Sequence, residues 1–246
     1  MIRTLSWFSC GAASAVATKL MAEAEPVYCE TGAEHPDNER FLADCERWFG
    51  RKVTRLKSDK YADTWDVWTK RRYLAGVQGA LCTVELKAAP RIAYQRPRDV
   101  HVLGYTADAP DVTRAKRLRE TYPEQVFLTP LIERGILKEH CLDMVRRAGI
   151  ALPPLYAQGF RNNNCIPCVK AQSAAYWALV RRDFPEEFGR MARLSRELGV
   201  KLCKIGSGVG ERERVFIDEI PLDQTVSDPI QPSCDFLCHL AEQELA

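Results

Sequence analysis

Hydrophobic and polar positions change their rhythm along this chain, and that change outlines its architecture. Through the first 130 residues, apolar runs of strand length alternate with stretches whose apolar side chains recur at the three- and four-residue spacing of a helix face. Leu5–Ser9, Val27–Cys29, Val53–Leu56, Val100–Gly104 and Val126–Leu128 read as strands. Between them lie an Ala-rich helix over Ala12–Ala24 and a helix over Asn38–Phe49, with Phe41, Leu42, Cys45, Trp48 and Phe49 at helical spacing. A further helix falls around Trp65, Trp68, Tyr73 and Leu74, another over Thr83–Tyr94, and a basic one over Val112–Tyr122 after a turn at Asp108–Pro110. Strands alternating with helices predict an α/β fold, a doubly wound and mainly parallel five-stranded sheet covered on both faces.

Beyond residue 130 the strand-length runs give way to helices and loops. Lys138–Arg147, Ala171–Asp183 and Glu186–Leu198 are predicted helices, Pro153-Pro154 breaks the chain, and Gly159–Lys170 is a polar loop carrying two cysteines. Gly206, Gly208 and Gly210 beside the charged run Glu211–Arg214 read as a mobile loop, not a phosphate cradle. The division predicted is a nucleotide-binding domain over 1–130 and a helical, Cys-rich region over 131–246.

Composition narrows the function classes. At 246 residues and 46% hydrophobic content the chain can bury one sizeable core with a small appendage. Thirty-five basic against thirty-three acidic residues give +2, so a nucleic-acid partner is possible but not implied by net charge, and any polyanion site is local. The opening residues lack a signal-peptide pattern, and no apolar run is long enough for a membrane span. The expectation is a cytoplasmic protein without a membrane partner. Ten cysteines in a reducing compartment are metal ligands, nucleophiles or buried apolar residues more often than disulfides.

Ser9-Cys10-Gly11-Ala12-Ala13-Ser14 joins the first strand to its helix through small residues. Such a junction turns backbone N–H groups and the positive end of a helix dipole toward an anion, and the Ser9 and Ser14 hydroxyls can donate to phosphate oxygens. The lysine of a Walker loop and the glycine triplet of a dinucleotide fingerprint are missing. Cys29-Glu30-Thr31-Gly32 and Leu103-Gly104-Tyr105-Thr106 close two more strands, and Arg114, Arg117 and Arg119 follow, a cluster suited to bidentate contact with phosphate or sulfate.

Cys165-Ile166-Pro167-Cys168 is the second chemical signal, because a C-x2-C in a polar turn points two thiolates at one metal. Cys82 and the Cys234–Cys238 segment are the best further donors, and a helix following Cys82 would lower its thiol pKa. Cys29, Cys45 and Cys141 are expected to pack inside, with Cys203 on an apolar strand. Four thiolates suit zinc or iron–sulfur alike.

The Ser9–Ser14 loop, the Glu30–His35 turn and the Gly104-Tyr105 turn with its downstream arginines resemble the PP-loop (adenine nucleotide alpha-hydrolase) superfamily, and within it the phosphoadenylyl-sulfate (PAPS) reductase group, across most of the chain. Gly159–Lys170 and its continuation resemble phage and bacterial members of that group. The resemblance implies that Ser9, Gly11 and Ser14, with the Ala12 amide, hold phosphate, and that Thr31, Gly32, Gly104 and Tyr105 border an adenine nucleotide, with Arg114 and Arg117 close by. Cys10 and Ala13 depart from the SGGxDS form, which speaks against ordinary ATP-pyrophosphatase chemistry.

Similarity to assimilatory sulfonucleotide reductases implies a [4Fe–4S] cluster on Cys82, Cys165, Cys168 and Cys238, with Cys234 the next choice for the fourth position. Those enzymes carry a Cys pair upstream where this chain has only Cys82, and a Glu-Cys-Gly ending that Cys238-His239 matches poorly. Three functions are compatible. A sulfonucleotide reductase would use Cys234 as nucleophile on adenylyl sulfate or PAPS and then a thiol reductant. An ATP-dependent sulfur transferase would draw on a sulfur donor and hold a nucleic acid through Lys70-Arg71-Arg72 and the Arg114 helix. A nucleotide-sensing metalloprotein would keep the fold without turnover.

Overall fold

The computed structural model describes residues 2–76, 79–206, 212–234, 241 and 243. The chain runs β1 (Thr4–Phe8), α1 (Ala12–Leu20), β2 (Glu25–Cys29), α2 (Asn38–Phe49), β3 (Thr54–Leu56) and α3 (Thr64–Arg71). A small hairpin, β4 (Ala75–Gly76) and β5 (Gly79–Ala80), leads into α4 (Leu81–Thr83), a π-helical turn (Val84–Ala88) and α5 (Ala89–Tyr94). Then come β6 (Val100–Val102), α6 (Ala109–Thr121), β7 (Val126–Leu128), α7 (Pro130–Glu133), α8 (Lys138–Arg147) and α9 (Pro154–Ala157). The described part closes with α10 (Ala174–Asp183), α11 (Pro185–Glu197), the hairpin β8 (Cys203–Ile205) and β9 (Glu213–Val215), and a 3-10 turn (Ile217–Glu219).

The expected five strands form one sheet in the order β3-β2-β1-β6-β7, and every pairing is parallel. Period-two alternation along β1 explains how it is covered on both sides. Ser6 Oγ lies 2.8 Å from Thr18 Oγ1 on α1, while Trp7 points the opposite way, to His101 and to Arg91 of α5. Helix α8 lies along α1 and so returns the chain to the first face. The architecture is α/β, compatible with double winding.

Two apolar clusters result, and they interleave along the sequence. The first gathers Phe8, Val16, Tyr28, Phe41 and Val102 and also takes Leu131, Ile136, Leu142, Val145, Ile150 and Tyr156 from beyond residue 130. The second is built on Trp177, Val180, Met191 and Cys203 and takes Trp65, Trp68, Leu74 and Ala80 from the first half. Cys10, Cys45, Cys141 and Cys203 are fully buried, and Cys29 is half-buried.

Several boundaries move for a physical reason. Pro110, Pro154 and Pro185 each sit in the first helical turn, where a missing N–H costs nothing, so α6, α9 and α11 start at or before positions read as breaks. Glu213 and Arg214, read as loop, pair with β8 as part of β9, while residues 207–211, including Gly208 and Gly210, lie outside the described residues. Among the described residues, no helix is long and apolar enough to cross a membrane.

Candidate functional site

In a parallel sheet the ligand crevice opens beyond the carboxyl ends of the strands, where the strand order reverses. Here that is between β1 and β6. The Ser9–Ser14 loop leaves β1 and Gly104 leaves β6, so these residues meet. A Cβ on Gly104 would stand 2.5 Å from Ser14 Cα and 2.7 Å from Ser14 N, so only glycine lets the β6 turn lie on the first turn of α1. Within the loop Ser14 Oγ accepts from Ser9 N (3.0 Å) and donates to Gly11 O (2.9 Å). Cys10 holds a left-handed backbone, φ 53°, a strain of about 1 kcal/mol for a residue with a Cβ.

The loop is filled from outside. Asn163 Nδ2 donates to Cys10 O at 2.6 Å and to Asn38 Oδ1 at 2.8 Å. Ala12 N donates to Tyr156 Oη at 3.0 Å, and the same hydroxyl lies 3.2 Å from where a Cβ on Gly11 would be. Lys138 Nζ stands 3.4 Å from Tyr156 Oη and 3.4 Å from Asn162 Oδ1. Residues 10–14 are buried and Ser9 is exposed. The expectation of an open row of amides is thus corrected at Ala12, whose N–H already has an internal acceptor.

Among the downstream arginines, Arg119 is structural, since its Nη2 donates to Thr129 Oγ1 and Phe127 O and ties α6 to β7. Arg114 is exposed, pairs with Asp111 at 3.0 Å and sits over the Tyr105 ring, while Arg117 is exposed on the same helix. Burial raises the Tyr105 phenol above its ordinary pKa, and the Arg114 charge opposes the rise.

Thr31 and Gly32 serve a different neighbourhood. Thr31 N and Oγ1 both donate to Glu34 Oε1 (2.7 and 2.6 Å), and Thr31 Oγ1 lies 2.8 Å from Cys165 Sγ. Gly32 has φ +68°, and a Cβ there would be 2.5 Å from Ala62 O. Ile166 N donates to Ala33 O at 3.0 Å, so the C-x2-C loop rests on the turn that ends β2.

At that junction lies a cavity of about 80 Å³ onto which Cys82, Cys165 and Cys168 all face, together with Thr31, Trp68 and Lys87. Cys165 and Cys168, 83 and 86 positions after Cys82, are thereby brought to the same cavity as Cys82 by α4 and the 164–170 loop. Two polar atoms of lining residues, Thr64 Oγ1 and Trp68 Nε1, are buried without a hydrogen-bond partner among the described residues. A buried orphan of this kind calls for a guest, an ion or water or ligand atom. The three thiols are not drawn to mutual ligation distance, and no group of three metal-ligating side chains forms among the described residues. Donor type, convergence and orphaned donors nonetheless fit a thiophilic metal or cluster.

The electrostatics are set by burial. It raises the Cys165 thiol above its ordinary pKa, and the Lys87 ammonium offsets part of the rise. Burial also raises Cys82, which corrects the expectation that the helix dipole would lower it. Burial works to lower Lys87, but Cys165, Glu34, Cys168 and Cys29 outweigh it and hold that lysine above its usual value. Lys87 lies in the π turn Val84–Ala88, an irregularity that recurs at functional sites.

Cys234 stands apart from these three. Its Sγ accepts from Arg147 Nη2 at 2.6 Å, and Ser233 N meets Glu139 O, so it lies along α8. Cys238 lies outside the described residues. Sequence reasoning missed Lys138, Tyr156, Asn163, Lys87, Trp68 and Thr64. One signal was available: a lysine at the first position of a helix sits against the dipole, where an acidic residue is favoured. Neither a protein-family model nor a curated protein sequence matches this chain.

Proposed function

We propose that the chain is a cytoplasmic enzyme resembling the PAPS reductases of the PP-loop superfamily. It binds an adenine nucleotide, a sulfonucleotide or ATP, at the β1–α1 loop and carries out sulfur chemistry beside an iron–sulfur centre. Cys82, Cys165 and Cys168 hold that centre with Cys238 as fourth ligand, which makes the C-terminal helical region its metal-bearing appendage. The observation that carries this reading is the cavity where three sequence-distant thiols meet two orphaned buried polar atoms. When bound, a cluster there supplies electron density and a thiophilic iron next to a sulfur-containing substrate.

The chain's own residues do the rest. Lys87 places a positive charge beside Cys165 and Cys168 and offsets part of the cost of burying the Cys165 thiolate, and Trp68 Nε1–H is available to a sulfur acceptor. Ser9, exposed at the loop mouth, and Ser14 face the nucleotide's anionic end, and Asn163 couples the loop to the cysteine segment. Cys234, contacted by the Arg147 guanidinium, is the nucleophile of the reductase reading. Its thiolate forms an S–S bond to the sulfate sulfur, the S–O bond breaks with AMP leaving from adenylyl sulfate (adenosine 3',5'-bisphosphate from PAPS), and an external dithiol reductant then releases sulfite, regenerates the thiol and is itself oxidised to a disulfide. The nucleic-acid reading loses support, because Lys70, Arg71 and Arg72 pair with Asp66, Glu85 and Glu197.

Anaerobic purification with an absorption spectrum, iron and acid-labile sulfide analysis tests the centre. Equal iron and sulfide are expected; a colourless, zinc-loaded protein replaces the cluster by zinc. Titration with ATP, adenylyl sulfate and PAPS then tests the substrate class, and preference for a sulfonucleotide is the expected outcome.

A further inference from the structure

The Lys138 ammonium is only 8% exposed, yet among the described residues no carboxylate lies within ion-pair distance of it. Its only hydrogen-bonding contacts are two neutral oxygens, each at 3.4 Å. The nearby Asp108 carboxylate is already engaged by Thr106 Oγ1 (2.6 Å), by Lys138 N (3.1 Å) and by Arg161 (3.3 Å). A buried cation costs several kcal/mol unless a charge or strong acceptors compensate it, and two long neutral contacts with the Tyr156 ring 5.1 Å from Nζ do so only in part.

The direction of the side chain matters as much as its burial. Lys138 Nζ and the Ala12 amide, in the first turn of the nine-residue α1, converge on one oxygen atom, the Tyr156 hydroxyl. An oxygen held by a helix N-terminal N–H and an ammonium has the surroundings of a phosphate or sulfate oxygen. A phenol oxygen is a weak acceptor for two such donors, although the Tyr156 ring also faces the ammonium, 5.1 Å from Nζ. Arg161, 58% exposed on the neighbouring loop, adds a second cation at the rim.

We infer that the Tyr156 hydroxyl is an internal stand-in for a ligand oxyanion. A tetrahedral phosphate or sulfate group of the bound nucleotide displaces it, and Lys138 is the residue that holds that group. The inference rests on the nucleotide reading of the β1–α1 loop and adds to it a binding residue from outside the loop and a side chain that must withdraw. The free protein is therefore self-blocked, and its affinity is reduced by the hydrogen bonds the ligand has to break.

The test is calorimetric titration of the full-length, metal-replete protein with ATP and with adenylyl sulfate, comparing wild type, Tyr156→Phe, Lys138→Gln and Lys138→Arg. Tyr156→Phe removes the competing oxygen and is expected to tighten binding about fivefold, the worth of one hydrogen bond. Misfolding cannot produce a gain of affinity. Lys138→Gln is expected to weaken binding by about tenfold or more, as for loss of a charge-assisted contact, with substantial recovery in Lys138→Arg. If wild type binds and the Phe and Gln variants stay within twofold of it, the Tyr156–Lys138 pair is structural and the inference is overturned while the nucleotide site stands. If neither wild type nor Tyr156→Phe binds either nucleotide, both fail together.

Discussion

The loop after β1 and the cavity after β2 lie at neighbouring strand ends of one sheet, yet they are finished in opposite ways. In the loop, the named polar groups find partners within the fold, Ser9 with Ser14, Cys10 O with Asn163 and Ala12 N with Tyr156, while Asn163 Oδ1 is buried without one among the described residues. In the cavity, Thr64 Oγ1 is left without a partner among the described residues, Trp68 Nε1 faces the Cys82 thiol without a well-formed hydrogen bond, and the thiols line open space. A ligand at the first place must compete with side chains already seated. One at the second completes an unfinished set of contacts. Satisfied polar groups mark a closed state and unsatisfied ones mark a missing component, and this chain carries both within reach of one asparagine.

The contrast can be broken most decisively at the thiols. Cys82→Ala, Cys165→Ala and Cys168→Ala are each expected to reduce bound iron to background, whereas Cys234→Ala, which lies against α8, leaves it in place. Iron and sulfide analysis of the four variants decides this, and retention of metal in Cys165→Ala would separate the cavity from metal binding. Next in size is Gly104→Ala, which drives a methyl group into the Ser14 backbone. A loss of about 3 kcal/mol in urea unfolding is expected from such overpacking. Asn163→Ala removes two buried hydrogen bonds, one to the loop at Cys10 O and one to Asn38 of α2, and should cost about 1–3 kcal/mol, read in the same assay.

The smallest effect is kinetic. In metal-free protein the raised pKa of Cys165 leaves less thiolate than a free cysteine has at the same pH, so alkylation lags below and around the ordinary thiol value of about 8.5 and catches up only at higher pH. Lys87→Met removes the opposing charge and should push that rise further to the alkaline side. Mass-spectrometric labelling across pH measures both, and a profile unchanged by Lys87→Met would show that the lysine does not act on Cys165.

What could be read in advance follows from the range of the forces involved. Helix periodicity is local, so α2 over Asn38–Phe49 and α8 over Lys138–Arg147 fall where their apolar spacing puts them. β7 is equally legible because Val126–Leu128 is a short apolar run between polar neighbours. The β4–β5 pairing was not, since Ala75–Gly76 and Gly79–Ala80 carry no strand-type side chains. Cys82, Cys165 and Cys168 were grouped in advance by their chemistry; in the structure they line one cavity but are not gathered into a ligating group among the described residues. The plugging of the loop by Tyr156 was invisible, because a tyrosine 144 residues from Ala12 leaves no local trace of its destination.

The interleaving of the two apolar clusters bears on how this protein can be taken apart. A fragment ending at residue 130 would forfeit the leucine and valine side chains of α8 that lie under α1, and the complementary fragment would lose both tryptophans of α3. Neither piece could hide its greasy surface alone, so the halves should melt as one. A hybrid joining this front half to a foreign back half would need its seam placed elsewhere, with α3 and its hairpin travelling alongside α10 and α11.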